Sequence, residues 1–465
     1  MGKESSMNRV LRSKTAAQWR LILEQIGICG ITLVSMIGCV FLGIMNSYAA
    51  MALPFCLLVL LFLFAGAIPL FSGKRTVAAV IRGFDLRRIP LVKYLWLLPL
   101  VGLMVGFMQG SFAMKNLIDL IIIGGCIVVL LCASANSRIY MPILNIILGF
   151  ALFYATSIWV ELLLPGVYDG YLSLLKNGSA EKIQRFLSYY TGFTTSPGYT
   201  AGYIGAGLFA CILKYSKEKR YYAGLIAYLA AALMYTGMRM PAAAIVAAVF
   251  LFAALRTPPA KRKKVFTRLL IGTVVVSAVI YIFREQLVGV PLIRRIFGLT
   301  AESAAADSLD QFFADGQMGA SRGNLLRHGL KLFSEHPITG IGWGNYRESV
   351  LGALTQNLAY DAHNIYVQLL SETGIIGFVS FIIPMGYTFV QTARAVWARK
   401  LKPYEDPWTV LLSFSLMYQT YFLVLGLTDN PLYYPINQIM YLLSCTIAVA
   451  YLCGRQKAYK GVKRA

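Results

Sequence analysis

The chain has 465 residues, of which 58% are hydrophobic, and its mean hydropathy is +0.64. Water-soluble domains do not carry so many uncharged apolar runs of about 18 residues or more, so the composition predicts a protein that crosses a membrane several times. The formal net charge of +23 is an excess that nucleic-acid-binding proteins can show. Here the loops between the apolar runs account for it, and we expect no nucleic-acid partner.

Twelve apolar segments have about the 20 residues that a helix needs to cross a bilayer. A basic stretch precedes the first segment, and further apolar segments follow it at once, which predicts a signal anchor that is retained. The pattern predicts an all-α polytopic membrane protein, with residues 1–465 forming a single membrane domain. The predicted spans are residues 23–45, 50–72, 94–113, 118–136, 140–164, 199–215, 222–238, 240–256, 267–284, 367–393, 408–428 and 435–453.

The basic residues alternate sharply between the loops. Seven segments on one predicted side hold 31 of the 43 Lys and Arg side chains. Because cytoplasmic loops carry an excess of Lys and Arg, this side is predicted to be cytoplasmic, together with both termini. Contact with anionic lipid of the inner leaflet then accounts for the charge. The basic segments are residues 1–22, 73–93, 137–139, 214–221, 256–268, 394–407 and 454–465.

Two long loops fall on the opposite, outer side, at residues 165–198 and 285–366. The second loop is predicted to form a small helical extracytoplasmic subdomain. It contains all of the chain's three histidines, His328, His336 and His363. A chain that concentrates its histidines in one extramembrane segment is expected to carry out its chemistry there.

Residues 322–334 have the pattern of an amphipathic helix, for which Ser321 is a suitable N-cap. Arg322 and Arg327 are spaced so that they point to different sides of this helix. The glycines between Gly340 and Gly344 predict a turn. As a phosphate-binding loop the pattern is weak, because no lysine follows it and no strand precedes it.

His363 is predicted to lie at the membrane surface, near the start of the helix that enters at 367–393. It suits a general base or a donor to an anionic group, but also a residue that only caps the helix. Arg239 lies in a tight outer turn, where a guanidinium can bind phosphate in a forked geometry or simply reach lipid head groups. Glu161 and Asp119 are further charges at the membrane edge.

The eight cysteines lie in or at the ends of apolar segments, and none has CxxC spacing. This distribution indicates small buried side chains rather than a zinc site or a disulfide framework. We therefore expect no metal site, and nothing in the sequence predicts a cofactor.

Several motifs between residues 235 and 377 together resemble the signature region of the O-antigen ligase and O-antigen polymerase family, membrane enzymes that assemble bacterial surface polysaccharide. The histidine–proline and histidine–asparagine motifs are the most specific as a pair. The matching pieces are Thr236-Gly-Met-Arg239, Ser321-Arg322, Glu335-His-Pro-Ile-Thr-Gly-Ile-Gly-Trp-Gly-Asn-Tyr346, Ala362-His363-Asn364 and Leu370-Ser-Glu372-Thr-Gly374-Ile-Ile-Gly377.

The resemblance implies a fold of about twelve helices related to the GT-C class of membrane glycosyltransferases. It implies a metal-independent, inverting enzyme that moves a glycan from an undecaprenyl-diphosphate carrier to a sugar hydroxyl of an acceptor glycan. The active site would lie on the outer face of the bacterial cytoplasmic membrane, with membrane lipid and a chain-length regulator as further partners. By the same resemblance, Arg239 and Arg322 would hold the diphosphate, and His363 would act at the acceptor hydroxyl or the leaving phosphate. Residues expected to contact glycan or diphosphate are Arg327, Arg347 and Tyr346, followed by Arg294 and Arg295.

The acceptor distinguishes two members of this family. A polymerase joins lipid-linked repeat units into capsule, exopolysaccharide or O-antigen, whereas a ligase transfers the glycan to the lipid A-core of lipopolysaccharide. We favour the polymerase. A lipid or polysaccharide transporter would place charged or broken helices at mid-membrane, which the nearly uncharged spans do not suggest. A non-catalytic scaffold would have no need for Arg239, Arg322 and His363 together.

Overall fold

The computed structural model shows a bundle of α-helices, and the regular elements among its described residues are helical. The all-α prediction is therefore confirmed for this part of the chain. The structure describes residues 29–30, 32–34, 37, 91–109, 114–133, 136–174, 189–194, 196–214, 219–297, 322–351, 353–354, 360–401, 404 and 406–462. The predicted spans 23–45 and 50–72 lie almost wholly outside these residues, and so does Ser321.

The other ten predicted spans each fall on helices of the bundle. In chain order the helices are α1 (Leu91–Leu95), α2 (Leu98–Gln109), α3 (Met114–Cys132), α4 (Met141–Leu163), α5 (Pro165–Leu174), α6 (Pro197–Lys214), α7 (Lys219–Tyr235), α8 (Arg239–Arg256), α9 (Pro259–Ile282), α10 (Pro291–Phe297), α11 (Arg322–Glu335), α12 (Tyr346–Val350), α13 (Ile365–Ala398), α14 (Pro407–Leu425) and α15 (Pro435–Val462). Single 3₁₀ turns precede α4 and α15.

Seven helical segments of the described residues are long and apolar enough to cross a membrane. A total of about twelve membrane-spanning helices and a relationship to the GT-C class remain predictions. The seven segments are Leu91–Gln109, Ser137–Leu163, Arg239–Arg256, Pro259–Ile282, Ile365–Ala398, Pro407–Leu425 and Ile436–Gly454.

The most buried helices are α14 and α15, which pack against each other at the centre of the bundle. Helix α8 packs on α14, α4 packs on α6, and α2 packs on α13. Helix α9 differs from the rest, because none of the described side chains in its apolar window is buried. An apolar surface of this kind is suited to lipid.

The bundle has two ends, and loops predicted on one side of the membrane meet at one end. At one end, which carries the loops of the predicted outer side, the N–H of Ile365 donates to the carbonyl oxygen of Gly426 (2.9 Å). At the other end, the Arg256 guanidinium donates to the carbonyl oxygen of Arg399. This two-sided arrangement agrees with the alternation of charge, while the identity of the cytoplasmic side remains a prediction.

Candidate functional site

His363 lies at the start of α13 in an unusual backbone conformation. Its φ of 49° is the only positive value for a non-glycine residue among the described residues. The left-handed region is strained for most side chains, although histidine enters it more often than most. The next residue, Asn364, is the N-cap of α13, and its side-chain oxygen accepts hydrogen bonds from the N–H groups of Tyr366 (3.0 Å) and Val367 (3.1 Å). The cap fixes the direction in which the chain leaves His363.

Asp429, in the loop between α14 and α15, lies beside His363. The N–H of Ile365 donates to the backbone carbonyl of Asp429 (3.2 Å), which ties this loop to the start of α13. Burial raises the pKa of the Asp429 carboxyl, whereas a hydrogen bond from the N–H of Asn430 (2.8 Å) and the charge of His363 act to lower it. The two side chains therefore interact electrostatically.

A second carboxylate, Asp361, precedes His363 and is held by two partners. Its Oδ1 lies 3.9 Å from Nε of Arg347 and accepts a hydrogen bond from Nε2 of Gln368 (3.4 Å). The same glutamine accepts the N–H of Ala362 through Oε1 (3.1 Å). Gln368 thus fastens the two residues before His363 to the first turns of α13. Arg347, which we expected at the glycan, is placed near His363 through Asp361.

Glu372 is fully buried and binds the glycine-rich turn to the bundle. Its carboxylate accepts hydrogen bonds from the N–H groups of Gly344 (2.9 Å) and Tyr346 (3.2 Å), and from Nε2 of Gln368 (3.2 Å). The Tyr433 hydroxyl also donates to it. Burying a charge is costly unless donors surround it, and here four donors do so.

The glycine-rich segment is a turn, as predicted. Gly340, Gly342 and Gly344 all have positive φ. The N–H of Gly342 donates to the carbonyl of Glu372 (2.9 Å), and that of Gly344 to its side chain. These N–H groups are already occupied, so the alternative of a phosphate-binding loop is wrong here.

Tyr346, which we expected to contact glycan, is fully buried. Its hydroxyl donates to the carbonyl of Leu325 (2.6 Å), and its ring packs edge-on against His328. Tyr346 therefore holds α11 and α12 together.

The two other histidines lie on or just after α11. Nε2 of His328 lies 3.1 Å from Oγ of Ser349, and burial lowers the pKa of this histidine. His336 is exposed at the end of α11.

Arg322 is the exposed first residue of α11, one turn before Leu325. Leu325 belongs to a small apolar cluster that includes Ala362, the neighbour of His363. Arg327 is also exposed on this helix. Packing thus brings the start of α11 to the chain segment that carries His363.

Arg239 is the exposed first residue of α8. The preceding turn needs Gly237, which has a φ of 66° and no room for a side chain beside Tyr189. The Gly237 carbonyl accepts a hydrogen bond from Nη1 of Arg295 (3.4 Å), whose guanidinium stacks on Tyr189 at 4.9 Å from the ring centroid. A second arginine from α10, Arg294, acts electrostatically on the neighbouring Tyr190. The turn therefore gathers three arginines.

A line of contacts connects this turn to His363. Met238 packs against Gly198, and the neighbouring Tyr199 meets Tyr434 edge-on with ring centroids 5.3 Å apart. The Tyr434 side chain in turn hydrogen-bonds Asp429. Among the described residues, neither Arg239 nor Arg322 makes a hydrogen bond or ion pair with His363. The three predicted residues are thus brought to the same end of the bundle without touching.

Asp429 and Tyr434 were not predicted from the sequence, because they lie outside the motifs. The sequence did contain an indication of Asp429, since it is the only acidic residue after Asp406 and falls on the predicted outer side.

The two acids at the membrane edge have structural partners. Oε2 of Glu161 accepts a hydrogen bond from the N–H of Gly192 (2.7 Å), and Oδ2 of Asp119 accepts one from Nε1 of Trp343 (3.3 Å). Among the described residues, no group of three His, Cys, Asp or Glu side chains is arranged to hold a metal ion.

Comparison with known proteins supports the family at this site. Residues 224–382 match the family model described as O-antigen ligase. Over these residues, the match confirms the predicted resemblance of the motifs at 235–377 to the O-antigen ligase/polymerase family. The matched segment includes Arg239, Arg322 and His363, whereas Asp429 lies beyond it. No curated protein matches the chain.

Proposed function

We propose that the protein is a membrane glycosyltransferase that moves a glycan from an undecaprenyl-diphosphate carrier to a sugar hydroxyl, on the outer face of the bacterial cytoplasmic membrane. The observation that carries the proposal is the placement of His363, held in a left-handed conformation beside Asp429. Strain of this kind is often kept at functional sites. The family match over 224–382 supports the class of reaction.

His363 is assigned the role of general base. It accepts the proton of the acceptor hydroxyl as that oxygen attacks the anomeric carbon of the donor sugar. The Asp429 carboxylate offsets the positive charge that forms on the imidazole. The presence of a carboxylate beside His363 favours this role over direct binding of a phosphate, since a second anion would repel the phosphate.

The bond between the anomeric carbon and the phosphate oxygen breaks in the same step, and the lipid diphosphate leaves as an anion. Arg239 and Arg322 are assigned to this diphosphate, because a guanidinium binds phosphate in a forked geometry. Arg294 and Arg295 add positive charge next to Arg239. Fixed positive charges at the leaving group stabilise the transition state without a metal ion. Direct displacement inverts the anomeric configuration.

We further propose that the acceptor is a second lipid-linked repeat, which makes the protein a polysaccharide polymerase. A ligase acting on lipid A-core is the alternative, since it shares the donor and the chemistry. The acceptor glycan and a chain-length regulator are the partners that this function requires.

The test is complementation of a strain that lacks the gene with wild type, His363→Ala or His336→Ala. His336 is the matched control, because it is an exposed histidine of the same segment. For a polymerase, His363→Ala accumulates single lipid-linked repeats, while wild type and His336→Ala make long surface glycan. For a ligase, lipid-linked polymer accumulates instead. Unchanged lipid-linked pools in His363→Ala would refute the enzymatic proposal and favour a transporter or a scaffold.

A further inference from the structure

The end of the bundle opposite His363 carries a cluster of cations around one tryptophan. Trp397 lies in the last turn of α13. The Arg262 guanidinium stacks on its ring at 4.2 Å from the centroid, and Nζ of Lys400 lies 4.1 Å from the same centroid. A ring face attracts a single cation, but two cations at one ring repel each other. An anion between them would remove this repulsion.

Arg262 also has an unused donor. Its Nε donates to the carbonyl of Thr257 (3.3 Å), whereas its Nη2 is buried and has no hydrogen-bond partner. A guanidinium carries five N–H donors, and leaving a charged donor buried and unbonded is costly. An acceptor supplied by a ligand would satisfy this nitrogen.

The neighbouring acid is already engaged. Asp406 is the N-cap residue of α14. It forms an ion pair with Arg399 and accepts hydrogen bonds from the N–H and the hydroxyl of Thr409. Arg256 stacks on Tyr404 at 4.8 Å from the ring centroid. Three exposed lysines on the first turns of α9 add further positive charge: Lys261, Lys263 and Lys264. The described residues thus gather more cations than anions at this end.

We propose that Arg262, Lys400 and Trp397 form a binding site for the phosphate group of an anionic phospholipid. The segments 256–268 and 394–407 belong to the predicted cytoplasmic side, where the leaflet is rich in anionic lipid. Basic pockets between helices on this side of a membrane are suited to such head groups.

A lipid fits better than free phosphate because of the surface next to the site. Beyond its basic start, α9 exposes the apolar side chains of Leu270, Ile271 and Val274. The acyl chains of a lipid held at Arg262 would find apolar surface on the same helix. Trp397 and Tyr404 are aromatic residues of the kind that gather at membrane interfaces. One lipid would thus satisfy both the basic and the apolar part of α9.

The test is native mass spectrometry of the full chain, purified in a nonionic detergent. Phosphatidylglycerol is titrated in, with phosphatidylcholine as the zwitterionic comparison. Arg262→Gln is compared with Lys263→Gln, which removes the same charge from an exposed neighbour. We expect wild type and Lys263→Gln to retain phosphatidylglycerol in preference to phosphatidylcholine, and Arg262→Gln to bind it about tenfold more weakly.

Equal loss in the two variants would mean general attraction to a basic surface and would overturn the proposal. Displacement of the lipid by inorganic phosphate would overturn the assignment to a lipid and indicate a site for a soluble anion. If Arg262→Gln does not yield folded protein, Arg262→Lys decides. This variant keeps the charge but loses the fork, so we expect weaker lipid binding, and unchanged binding would count against the site.

Discussion

The N–H of Ile365 donates to the backbone carbonyl of Asp429 over 3.2 Å. This bond joins the first turn of α13 to the loop between α14 and α15, and it sets Asp429 beside His363. The family signature supplies the histidine, and a loop about 65 residues further along the chain supplies the carboxylate. The proposed site is therefore completed by the helices that form the buried centre of the bundle.

Asp429→Asn is expected to lower glycan transfer by about 100-fold or more, because the imidazolium of His363 loses its counter-charge. The raised pKa of Asp429 also predicts a pH effect. This carboxyl takes up its proton at a higher pH than an ordinary aspartate, so wild-type activity falls as the pH drops through that raised pKa. The residual activity of Asp429→Asn should not show this fall at low pH, because asparagine takes up no proton. The pH–rate profiles of both proteins measure the difference.

The same substitution separates a role in transfer from a role in folding. A raised pKa in the folded state means that the ionised carboxylate carries a stability penalty, which is complete above the raised pKa and shrinks as the pH falls towards about 4. Asp429→Asn should therefore unfold at an equal or higher temperature than wild type near neutral pH. A lower melting temperature there would show that Asp429 is structural.

Arg239→Lys and Arg322→Lys test the forked contact with the diphosphate. Each keeps the charge but loses the planar pair of donors, so kcat/KM should fall about tenfold or more, and the alanine variants should lose more. Arg268→Lys is the control, since Arg268 is exposed near the start of α9 at the other end of the bundle. Steady-state transfer from a lipid-linked donor measures the effect. Unchanged kcat/KM in both lysine variants would remove these arginines from the diphosphate site.

Gly374→Ala tests the break within α13. Gly374 has a φ of 60°, and a Cβ there would lie 2.3 Å from the carbonyl oxygen of Ile338. The backbone strain and the clash together should cost more than about 2 kcal/mol. Gly386→Ala, in the same helix, meets nothing within 4 Å and should be neutral or stabilising by up to about 1 kcal/mol. Thermal unfolding in detergent compares the two variants. Equal melting temperatures would contradict the left-handed backbone conformation at Gly374.

Glu372→Ala should be the most destabilising single change near the site, by about 3 kcal/mol or more, because several donors lose their acceptor at about 1 to 3 kcal/mol each. It removes an acceptor from four donors, including the N–H groups of Gly344 and Tyr346. Glu372→Gln retains one acceptor oxygen and should be affected less. Size-exclusion profiles after heating rank the variants. If Glu372→Ala were as stable as wild type, the carboxylate would not hold the turn.

Much of the fold follows from the sequence because an apolar run of 20 residues has few alternatives in a membrane. The charge alternation likewise anticipates which loops share an end. The turn at Gly340–Gly344 was predicted from its glycines, since positive φ is available to them at little cost.

The details of the site were harder to predict. The pairing of His363 with Asp429 depends on how α13 packs beside α14, which no local pattern encodes. The burial of Tyr346 could not be predicted either, because a tyrosine in a motif is equally suited to a buried core and to contact with glycan. Its hydroxyl finds a backbone carbonyl inside the subdomain, and only packing reveals this.

The most direct test of the central claim is a single-turnover assay with purified protein in proteoliposomes, supplied with undecaprenyl-diphosphate-linked repeat units in the presence of EDTA. Release of undecaprenyl diphosphate is followed for wild type, His363→Ala and His336→Ala. We expect release by wild type and His336→Ala without added metal, and a rate at least about 100-fold lower for His363→Ala. Release by His363→Ala at the wild-type rate would contradict it.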